Sequence, residues 1–347
     1  MILDYDGKIY VRSETNGITV YEKGCNLYKF YEGITLNNIC GLHGAEEILN
    51  YLSNHKTNIN QNIVFGSPFH VNWLIEETCN LDCIYCYAHD KMHHRRVREQ
   101  IRNTVECIEK LEIINVGLSG GEPTLNPYLS DVIQMLDGRC SISMDTNGTL
   151  MCLSKMAALL KKANVLVRIT LDAVDESIIS KLRPAKNSFE QLPVIFSNVQ
   201  ELMNSGVSLM IHTVVTRYNV NHLMNVAEKL CHLGVKRWHM YGVNYSEKCK
   251  GFYNEIRLRK SELVEAYLKV KNQYGRIIEM SLHFDEESFN AKAILLIDSH
   301  GKFYVDSIKN GIRYIGCNPM NPTLHDIQKE IDVTLHCQGH LWTPSCL

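Results

Sequence analysis

The chain has 347 residues, which allows one large α/β domain with smaller additions or two to three smaller domains. Hydrophobic residues make up 45% of the sequence and charged residues 21%, proportions that are typical of globular proteins and argue against a disordered or coiled-coil chain. Because 36 Lys and Arg residues stand against 38 Asp and Glu residues, for a formal net charge of −2, neither a nucleic-acid partner nor a membrane surface is indicated.

The expected compartment follows from the start of the chain and from the length of its apolar runs. No run approaches the roughly 20 apolar residues that span a bilayer. Residues 1–8 contain acids and a turn where a signal peptide needs a basic and then an apolar stretch. We therefore expect a cytoplasmic protein. Thirteen cysteines cannot all pair internally, so thiols and a metal or redox site are favoured over a disulfide framework.

Residues 1–66 are predicted to form an N-terminal β/α appendage. Two segments that alternate apolar and polar residues flank an Asn-Gly pair, which is typical of a hairpin turn. A segment with a helical pattern and then a polar connector follow. In chain order, these segments are 8–12, 17–23, 44–53 and 54–62.

Residues 67–285 alternate strand-like and helix-like segments. Strand candidates lie at 71–75, 114–118, 141–145, 165–171, 208–215, 237–241 and 279–284. Helical patterns lie at 97–111, 153–162, 189–205, 220–233 and 260–273. Such alternation predicts βαβ units and a parallel sheet. The fold class is therefore α/β, with a partial (β/α)6 TIM-like barrel whose ligands bind at the carboxyl ends of the strands.

Residues 286–347 lose this alternation. Segment 293–306 predicts two strands around a turn at 299–301, and the remainder is rich in loops and contains three prolines. This part is predicted to be a C-terminal extension of the barrel.

Three cysteines, Cys79, Cys83 and Cys86, follow the first predicted barrel strand within eight residues. Apolar packing does not require this spacing, whereas a metal centre does. Three thiolates can hold an iron–sulfur cubane that keeps one iron open for a substrate or cofactor. A zinc site, which closes with four ligands, is the alternative, because a nearby histidine could complete it. The candidate histidines are His89, His93 and His94. Chance clustering of buried thiols is the third interpretation.

A second motif, Gly120, Gly121 and Glu122 followed by proline, ends the second predicted barrel strand. Glycines at such a place let the backbone approach a ligand closely, and the glutamate offers a carboxylate to an ammonium or hydroxyl group. By itself the motif could be only a strand-to-helix turn. Its position at the same sheet edge as the cysteines favours a ligand site.

Together the two motifs resemble those of the radical S-adenosylmethionine (SAM) enzymes, in which an aromatic residue, here Tyr85, precedes the last cysteine of Cys-x3-Cys-x2-Cys. Later segments extend the resemblance over about residues 70–285. They are 146–148, 170–172, Arg183, 214–216, Asn219 and 234–240.

The resemblance implies one 4Fe–4S cluster bound by Cys79, Cys83 and Cys86, with SAM on the fourth iron. An electron from a donor such as flavodoxin or ferredoxin would cleave SAM to methionine and a 5′-deoxyadenosyl radical, which abstracts hydrogen from a substrate. The zinc interpretation and a non-catalytic metal-binding interaction protein leave the Gly-Gly-Glu-Pro motif without a role.

The resemblance also implies which residues bind SAM. Gly120, Gly121 and Glu122 would seat its ammonium group, and Arg183 would pair with its carboxylate, although an exposed helix arginine is the alternative. Further candidates would contact the adenine, the ribose or the carboxylate of SAM. They are Tyr85, Asn147, Thr170 and Met240. For each of these, packing or turn formation is the structural alternative.

Segment 297–306 resembles the hairpin of the SPASM or twitch extension, which many peptide-modifying radical SAM enzymes contain. The family hairpin usually ends in a cluster cysteine, but Asp306 stands there in this sequence, and carboxylates suit iron–sulfur clusters less well than thiolates. We therefore expect the extension without an auxiliary cluster. The cysteines that a second cluster would use are Cys249, Cys317, Cys337 and Cys346. Cys317 or Cys337 could instead donate a hydrogen atom to a substrate radical.

The expected substrate is a ribosomally made peptide or a protein side chain, with epimerisation, cross-linking or oxidation as the outcome. A small molecule, such as a sugar, nucleotide or cofactor precursor, is the alternative. Residues 1–66 would be either a leader-peptide recognition module, as in some peptide-modifying members, or a structural cap on the barrel.

Overall fold

The computed structural model describes residues 2–23, 27–57, 65–87, 99–284, 294–307 and 311–340. Within these ranges the strands form two sheets, one of four strands near the N-terminus and one of ten strands. Among the helices of the described ranges, none combines the length and the apolar composition that a membrane crossing requires.

The four-stranded sheet is an antiparallel meander whose strands neighbour one another in chain order. Its strands are β1 Ile2–Tyr5, β2 Ile9–Glu14, β3 Gly17–Glu22 and β4 Leu27–Glu32, and the helices that follow are α1 Leu36–Ile39 and α2 Ala45–Ser53. The predicted hairpin is confirmed, because β2 and β3 pair with Glu14 opposite Gly17. Both faces of this sheet are apolar, since Val11 packs in the core with α2 while Tyr10 packs in the core of the large sheet.

Seven strands of the large sheet are parallel and neighbour one another in chain order. They are β5 His70–Glu76, β6 Asn115–Gly120, β7 Ser141–Thr146, β8 Leu166–Thr170, β9 Ser208–Val214, β10 Arg237–Tyr241 and β11 Glu279–His283. Each predicted barrel strand corresponds to one of them, so the α/β prediction is confirmed. The seven strands follow an open order, which agrees with a partial barrel.

Helices return the chain between these strands. They are α3 Glu99–Lys110, α4 Leu129–Leu136, α5 Cys152–Lys155, α6 Ala157–Lys162, α7 Glu176–Leu182, α8 Gln191–Asn204, α9 Leu223–Leu233, α10 Tyr253–Ile256 and α11 Lys260–Tyr274. The single helix predicted over 153–162 is two helices. The chain tightens between them, because the Met156 N–H bonds to the Leu153 carbonyl at 3.1 Å, three residues earlier rather than four.

The C-terminal extension continues the large sheet on the far side of β5. Strand β12 Leu295–Ile297 pairs with β5 in parallel, and β13 Phe303–Ser307 and β14 Gly311–Tyr314 follow as antiparallel neighbours. The predicted strand–turn–strand is confirmed. Strand β14 was not predicted, because all four of its side chains are exposed and leave no alternating pattern in the sequence. Two further helices follow at Leu324–Glu330 and Val333–His340.

Alternation along the parallel strands separates an apolar face from a polar face. On β10 the Trp238 and Met240 side chains are fully buried in the core that the helices cover. His239 and Tyr241 alternate with them and therefore lie on the opposite, concave face of the sheet.

Arg12 on β2 joins the N-terminal sheet to the barrel. Its guanidinium is fully buried and donates to the carbonyls of Ser67, Pro68 and Glu112 at 2.8, 3.0 and 2.9 Å. It also pairs with the buried Glu14 carboxylate at 2.7 Å. These carbonyls precede β5 and β6, so one side chain fixes the small sheet at the amino-terminal edge of the large one.

We expect Arg12→Met to lower the free energy of unfolding by about 3–5 kcal/mol, because the buried Glu14 carboxylate would lose its partner. Urea unfolding followed by tryptophan fluorescence measures this loss. Arg139→Met is the control, since Arg139 pairs with Glu109 on the surface and its loss should cost about 1 kcal/mol or less. Equal losses for the two variants would contradict the anchoring role of Arg12.

Candidate active site

The cysteine loop, residues 77–87, begins where β5 ends, at the carboxyl edge of the parallel sheet. Its backbone is bound to the segment that follows α7. The N–H groups of Asp82 and Ile84 donate to the carbonyls of Pro184 and Leu182 at 2.7 and 3.0 Å. Residues far apart in sequence therefore hold the loop, and its three cysteines are all half-buried.

The surroundings of the three thiols suit thiolate ligands. The Leu81 N–H and the Asn147 side-chain amide donate to the Cys79 sulfur at 3.4 and 3.7 Å. Burial raises the pKa of Cys79, and it raises the pKa of Cys83 to about 12, while the Arg183 charge lowers both values. The Cys79 and Cys83 thiols are therefore protonated until a metal displaces the protons.

The Asn147 amide also donates to the Asn80 side chain at 2.8 Å. This residue was predicted to contact SAM. In the structure its side chain links the turn after β7 to the cysteine loop.

Gly120 and Gly121 lie against the first residues of the cysteine loop. A Cβ at Gly120 would overlap the Glu76 carbonyl oxygen, and one at Gly121 would overlap the Thr78 carbonyl oxygen. Backbone hydrogen bonds hold this contact, from Gly121 N–H to Glu76 at 2.6 Å and from Glu122 N–H to Thr78 at 2.8 Å. The glycines therefore let two loops meet backbone to backbone, which is a role the sequence analysis did not include.

The Glu122 carboxylate is fully buried and accepts hydrogen bonds from four protein donors. The Thr124 N–H, the Thr124 hydroxyl and the Thr146 hydroxyl donate to Oε1 at 3.1, 2.5 and 2.7 Å, and the Asn147 N–H donates to Oε2 at 2.7 Å. Burial raises the pKa of Glu122, and these donors oppose the rise. Glu122 thus connects the turn after β6 to the turn after β7.

Arg183 is fully buried, so the alternative of an exposed helix arginine is wrong. Its guanidinium donates to the carbonyls of Thr170 and Asn147 at 2.5 and 2.6 Å. Its Nε is buried and has no hydrogen-bond partner among the described residues. The charge acts on Cys79 and Cys83, so a buried donor with a spare N–H lies beside the cysteine loop. Thr170 contributes its carbonyl to this site.

Tyr85 and Asp172 tie the cysteine loop to β8 and β9. The Tyr85 hydroxyl donates to one oxygen of Asp172, and the Val214 N–H donates to the other oxygen at 2.8 Å. Asp172 is fully buried, which raises its pKa, while the Arg183 charge lowers it. The sequence analysis noted Asp172 only as part of a motif. A carboxylate directly after an apolar strand was the signal that could have identified it.

Met240 was predicted to contact SAM, and the structure shows the environment of its side chain. Its side chain is fully buried in the core on the helix-covered face of β10, together with Trp238. Side chains of adjacent strand residues point to opposite faces, so this placement gives the Met240 side chain a packing role.

Four rings lie side by side on the concave face, and we call them the ring layer: His212, His239, Tyr241 and His283. The centroids of His212 and His239 are 5.7 Å apart with planes at 7°, and His283 lies 5.0 Å from both His239 and Tyr241. Burial lowers the pKa of His212 well below its usual value. Polar residues at alternate positions of otherwise apolar strands were the only signal for this group in the sequence.

Two predicted hydrogen-donor cysteines lie outside this site. The Cys337 thiol is buried and bonds to the Ser67 carbonyl at 3.4 Å, just before the start of β5. A parallel strand starts and ends at opposite edges of the sheet, so Cys337 lies at the edge away from the cysteine loop. Cys317 is exposed, and the adjoining Asn318 lines a cleft with Cys107 of α3. Neither thiol is therefore among the described contacts of the cysteine loop, and a hydrogen-donor role for Cys317 or Cys337 stays a prediction.

Of the other cysteines considered for a second cluster, one lies in a core against which Ile84 and Tyr85 of the cysteine loop pack. Cys249 is fully buried in a small core with Val243 and Ile256, and Cys346 lies outside the described residues.

The donor set at the cysteine loop fits an iron–sulfur cluster. Three soft thiols lie on one loop, the Cys79 sulfur receives two N–H groups, and the buried Arg183 lies beside the loop. In a cubane each thiolate binds its own iron, so the sulfurs do not converge on one point. Within the described ranges, no group of three His, Cys, Asp or Glu side chains could hold a single metal ion. The histidines proposed for zinc, His89, His93 and His94, lie outside these ranges.

We expect Glu122→Gln to lower the free energy of unfolding by about 1–3 kcal/mol, because an amide N–H2 would face backbone and hydroxyl donors in a buried position. Chemical denaturation measures the loss. Glu106→Gln, at an exposed position of α3, is the matched control and should change stability by less than about 0.5 kcal/mol. Stability equal to wild type in the Glu122 variant would refute the bridging role.

Known proteins resemble this chain over its central part. The model of the Radical SAM superfamily matches residues 74–243. An uncharacterised protein of Methanocaldococcus jannaschii is 29% identical over 174 residues, which are 48% of this chain and 60% of that protein. The subtilosin biosynthesis protein AlbA of Bacillus subtilis is 24% identical over 191 residues, 54% of this chain and 42% of AlbA. The chain thus spans less than two thirds of both relatives.

A GTP 3′,8-cyclase of Thermodesulfovibrio yellowstonii is 28% identical over 297 residues, 80% of this chain and 86% of the cyclase. Among solved structures, SuiB of Streptococcus suis bound to precursor peptide SuiA has a TM-score of 0.66 and 12% identity, covering 87% of this chain and 82% of SuiB. The enzyme anSMEcpe with bound AdoMet and a peptide has a TM-score of 0.61 and 17% identity, covering 77% of this chain and 83% of anSMEcpe.

The match of the family model and the likeness of fold agree with the geometry at the carboxyl edge, where a three-cysteine loop meets a Gly-Gly-Glu turn. Residues 74–243 of this chain thus form a radical SAM domain, and the members of that superfamily are enzymes that use a 4Fe–4S cluster together with S-adenosylmethionine.

Proposed function

We propose that this radical SAM enzyme acts on a ribosomally made peptide or on a protein side chain. The observation that supports the chemistry is the contact between the cysteine loop and the Gly120–Gly121 turn, which joins the ligands of one cofactor to the expected binding site of the other. When bound, the cluster and SAM supply a 5′-deoxyadenosyl radical that abstracts hydrogen from the substrate.

In this proposal Cys79, Cys83 and Cys86 hold three irons of one 4Fe–4S cluster. The N–H donors at Cys79 stabilise thiolate charge. The carboxylate of SAM would accept a hydrogen bond from the buried Nε of Arg183, because the other two guanidinium nitrogens of Arg183 donate to backbone carbonyls.

The remaining rim residues position these groups. Glu122 holds two turns in place. Because its carboxylate already accepts hydrogen bonds from four protein donors, we assign it to positioning these turns and not to binding the SAM ammonium group. The Tyr85–Asp172 hydrogen bond holds the cysteine loop against β8 and β9. Lys248, in the segment after β10, pairs with Asp82 of the cysteine loop. Together these contacts hold the loop in one position.

The peptide substrate is supported by what flanks the barrel. SuiB and anSMEcpe share the fold over 87% and 77% of this chain, more than residues 74–243 alone, and their structures contain peptides. AlbA is named for the biosynthesis of a bacteriocin. We propose that residues 294–340 act as a SPASM-like extension without an auxiliary cluster, and that a flavodoxin or ferredoxin supplies the electron.

A nucleotide substrate is the second candidate, because the GTP 3′,8-cyclase match extends over 80% of this chain.

We expect Cys83→Ala to abolish SAM cleavage and most of the bound iron, because the loss of one thiolate removes a ligand from the cluster. Iron analysis and 5′-deoxyadenosine production after anaerobic reconstitution measure both effects. The wild-type chain should hold about four irons. Cys152→Ala is the matched control, since this half-buried thiol lies beside Thr124, near the same rim, and should keep both properties. Full activity in the Cys83 variant would refute the assignment.

Deuterium transfer separates the two substrate classes. A candidate precursor peptide, encoded beside the gene and prepared with deuterium at its carbon positions, should transfer deuterium into 5′-deoxyadenosine, which mass spectrometry detects. Deuterated GTP should transfer none. The opposite pattern would refute the peptide substrate and leave the radical SAM chemistry in place.

A further inference from the structure

The contacts described above for the cysteine loop come from residues outside the ring layer of His212, His239, Tyr241 and His283. Its side chains are half-buried, so they line the concave face instead of filling the apolar core. Neighbouring centroids are 4.9 to 5.7 Å apart, which is the range in which rings contact one another. The four rings therefore form one continuous surface.

This surface lies directly beneath the rim of the site. His212 is the register partner of Thr170, whose carbonyl accepts from Arg183. Tyr241 is the register partner of Val214, whose N–H donates to Asp172. A strand rises about 3.3 Å for each residue, so the ring layer is within one or two residues of the rim.

Polar atoms of the layer contact one another around the ring edges. The His212 Nε2 lies 3.5 Å from the Tyr241 hydroxyl, and its Nδ1 lies 3.7 Å from an Asp145 oxygen. The Ser281 hydroxyl lies 2.7 Å from the His283 Nε2. Ring contacts and these polar contacts together hold the layer as one surface of the barrel.

Two imidazoles of the layer, His212 and His239, are uncharged at neutral pH, because burial lowers the pKa of both. Burial, followed by the neighbouring charges, lowers the pKa of His239 to about 3. Arg168, one of the cations that acts on this histidine, pairs with Asp145 at 2.7 Å. Arg237 also acts on this histidine, and it is the register partner of Glu279 on the neighbouring strand β11. Each of these cations therefore has a carboxylate next to it.

We infer that the ring layer binds an uncharged aromatic side chain of the peptide substrate, which packs against these rings below the SAM site. This inference rests on the proposed function and names the part of the substrate that the barrel recognises. Tilted and offset ring pairs at these separations are favourable for neutral aromatic groups. A nucleoside triphosphate would instead require cations that are not already paired with carboxylates.

The test titrates N-acetyl-L-tyrosinamide into the anaerobically reconstituted full chain with SAM bound, using NMR of side-chain-labelled histidine. We expect saturable shifts of the ring-layer imidazoles. His239→Gln should weaken the affinity about three- to tenfold, because one aromatic contact is lost. His283→Gln, on the edge strand β11, is the second variant if the first fails to fold, and should weaken it similarly. The control His232→Gln, at an exposed position of α9, should have no effect.

N-acetyl-L-leucinamide and GTP are the comparison probes. Equal affinity for the leucine probe, or tighter binding of GTP with the same shifts, would overturn the inference.

The binding test and the deuterium test together distinguish a failure of this inference from a failure of the proposed substrate class. If a peptide transfers deuterium but the tyrosine probe leaves the ring layer unchanged, the peptide substrate stands and this inference is wrong. If the tyrosine probe binds while only GTP transfers deuterium, the proposed substrate is wrong and the aromatic-binding surface stands.

Discussion

The site depends on a backbone-to-backbone contact that no side chain can enter. Gly120 and Gly121 press against the carbonyl groups of Glu76 and Thr78, and any Cβ there would overlap those oxygens. Two N–H groups of the turn donate to the same carbonyls. Because the three cysteines start one residue after this contact, its geometry sets where their sulfurs lie relative to the strand ends.

A buried polar network extends this contact across the carboxyl edge of the sheet. Glu122 connects the turns after β6 and β7, Arg183 reaches the carbonyls of Thr170 and Asn147, and Asp172 joins the cysteine loop to β9. Buried polar groups are costly unless they are hydrogen-bonded, so this network holds one arrangement of the loops. That rigidity suits an enzyme whose cofactor chemistry needs fixed distances.

The barrel separates two kinds of surface by simple alternation. Apolar side chains such as Trp238 pack beneath the helices, whereas the concave face carries an ion pair of Arg168 with Asp145 and the ring layer. Parallel sheets covered on both faces are usually apolar throughout. The polar concave face below the rim therefore differs from a packed core and is typical of a surface that lines a ligand site.

The sequence by itself determined the seven parallel strands and the cysteine and glycine motifs, because hydrophobic periodicity and short motifs are local. It also pointed to Arg183, through its place in a motif. Tertiary structure alone decided that Glu122 is saturated by protein donors, that Met240 faces the helices and that Cys337 lies at the opposite edge. These facts depend on strand pairing, because the pairing decides which residues that are distant in sequence lie on the same face or at the same edge of the sheet. For the same reason the ring layer became visible only in the folded sheet, where β9, β10 and β11 place their rings side by side.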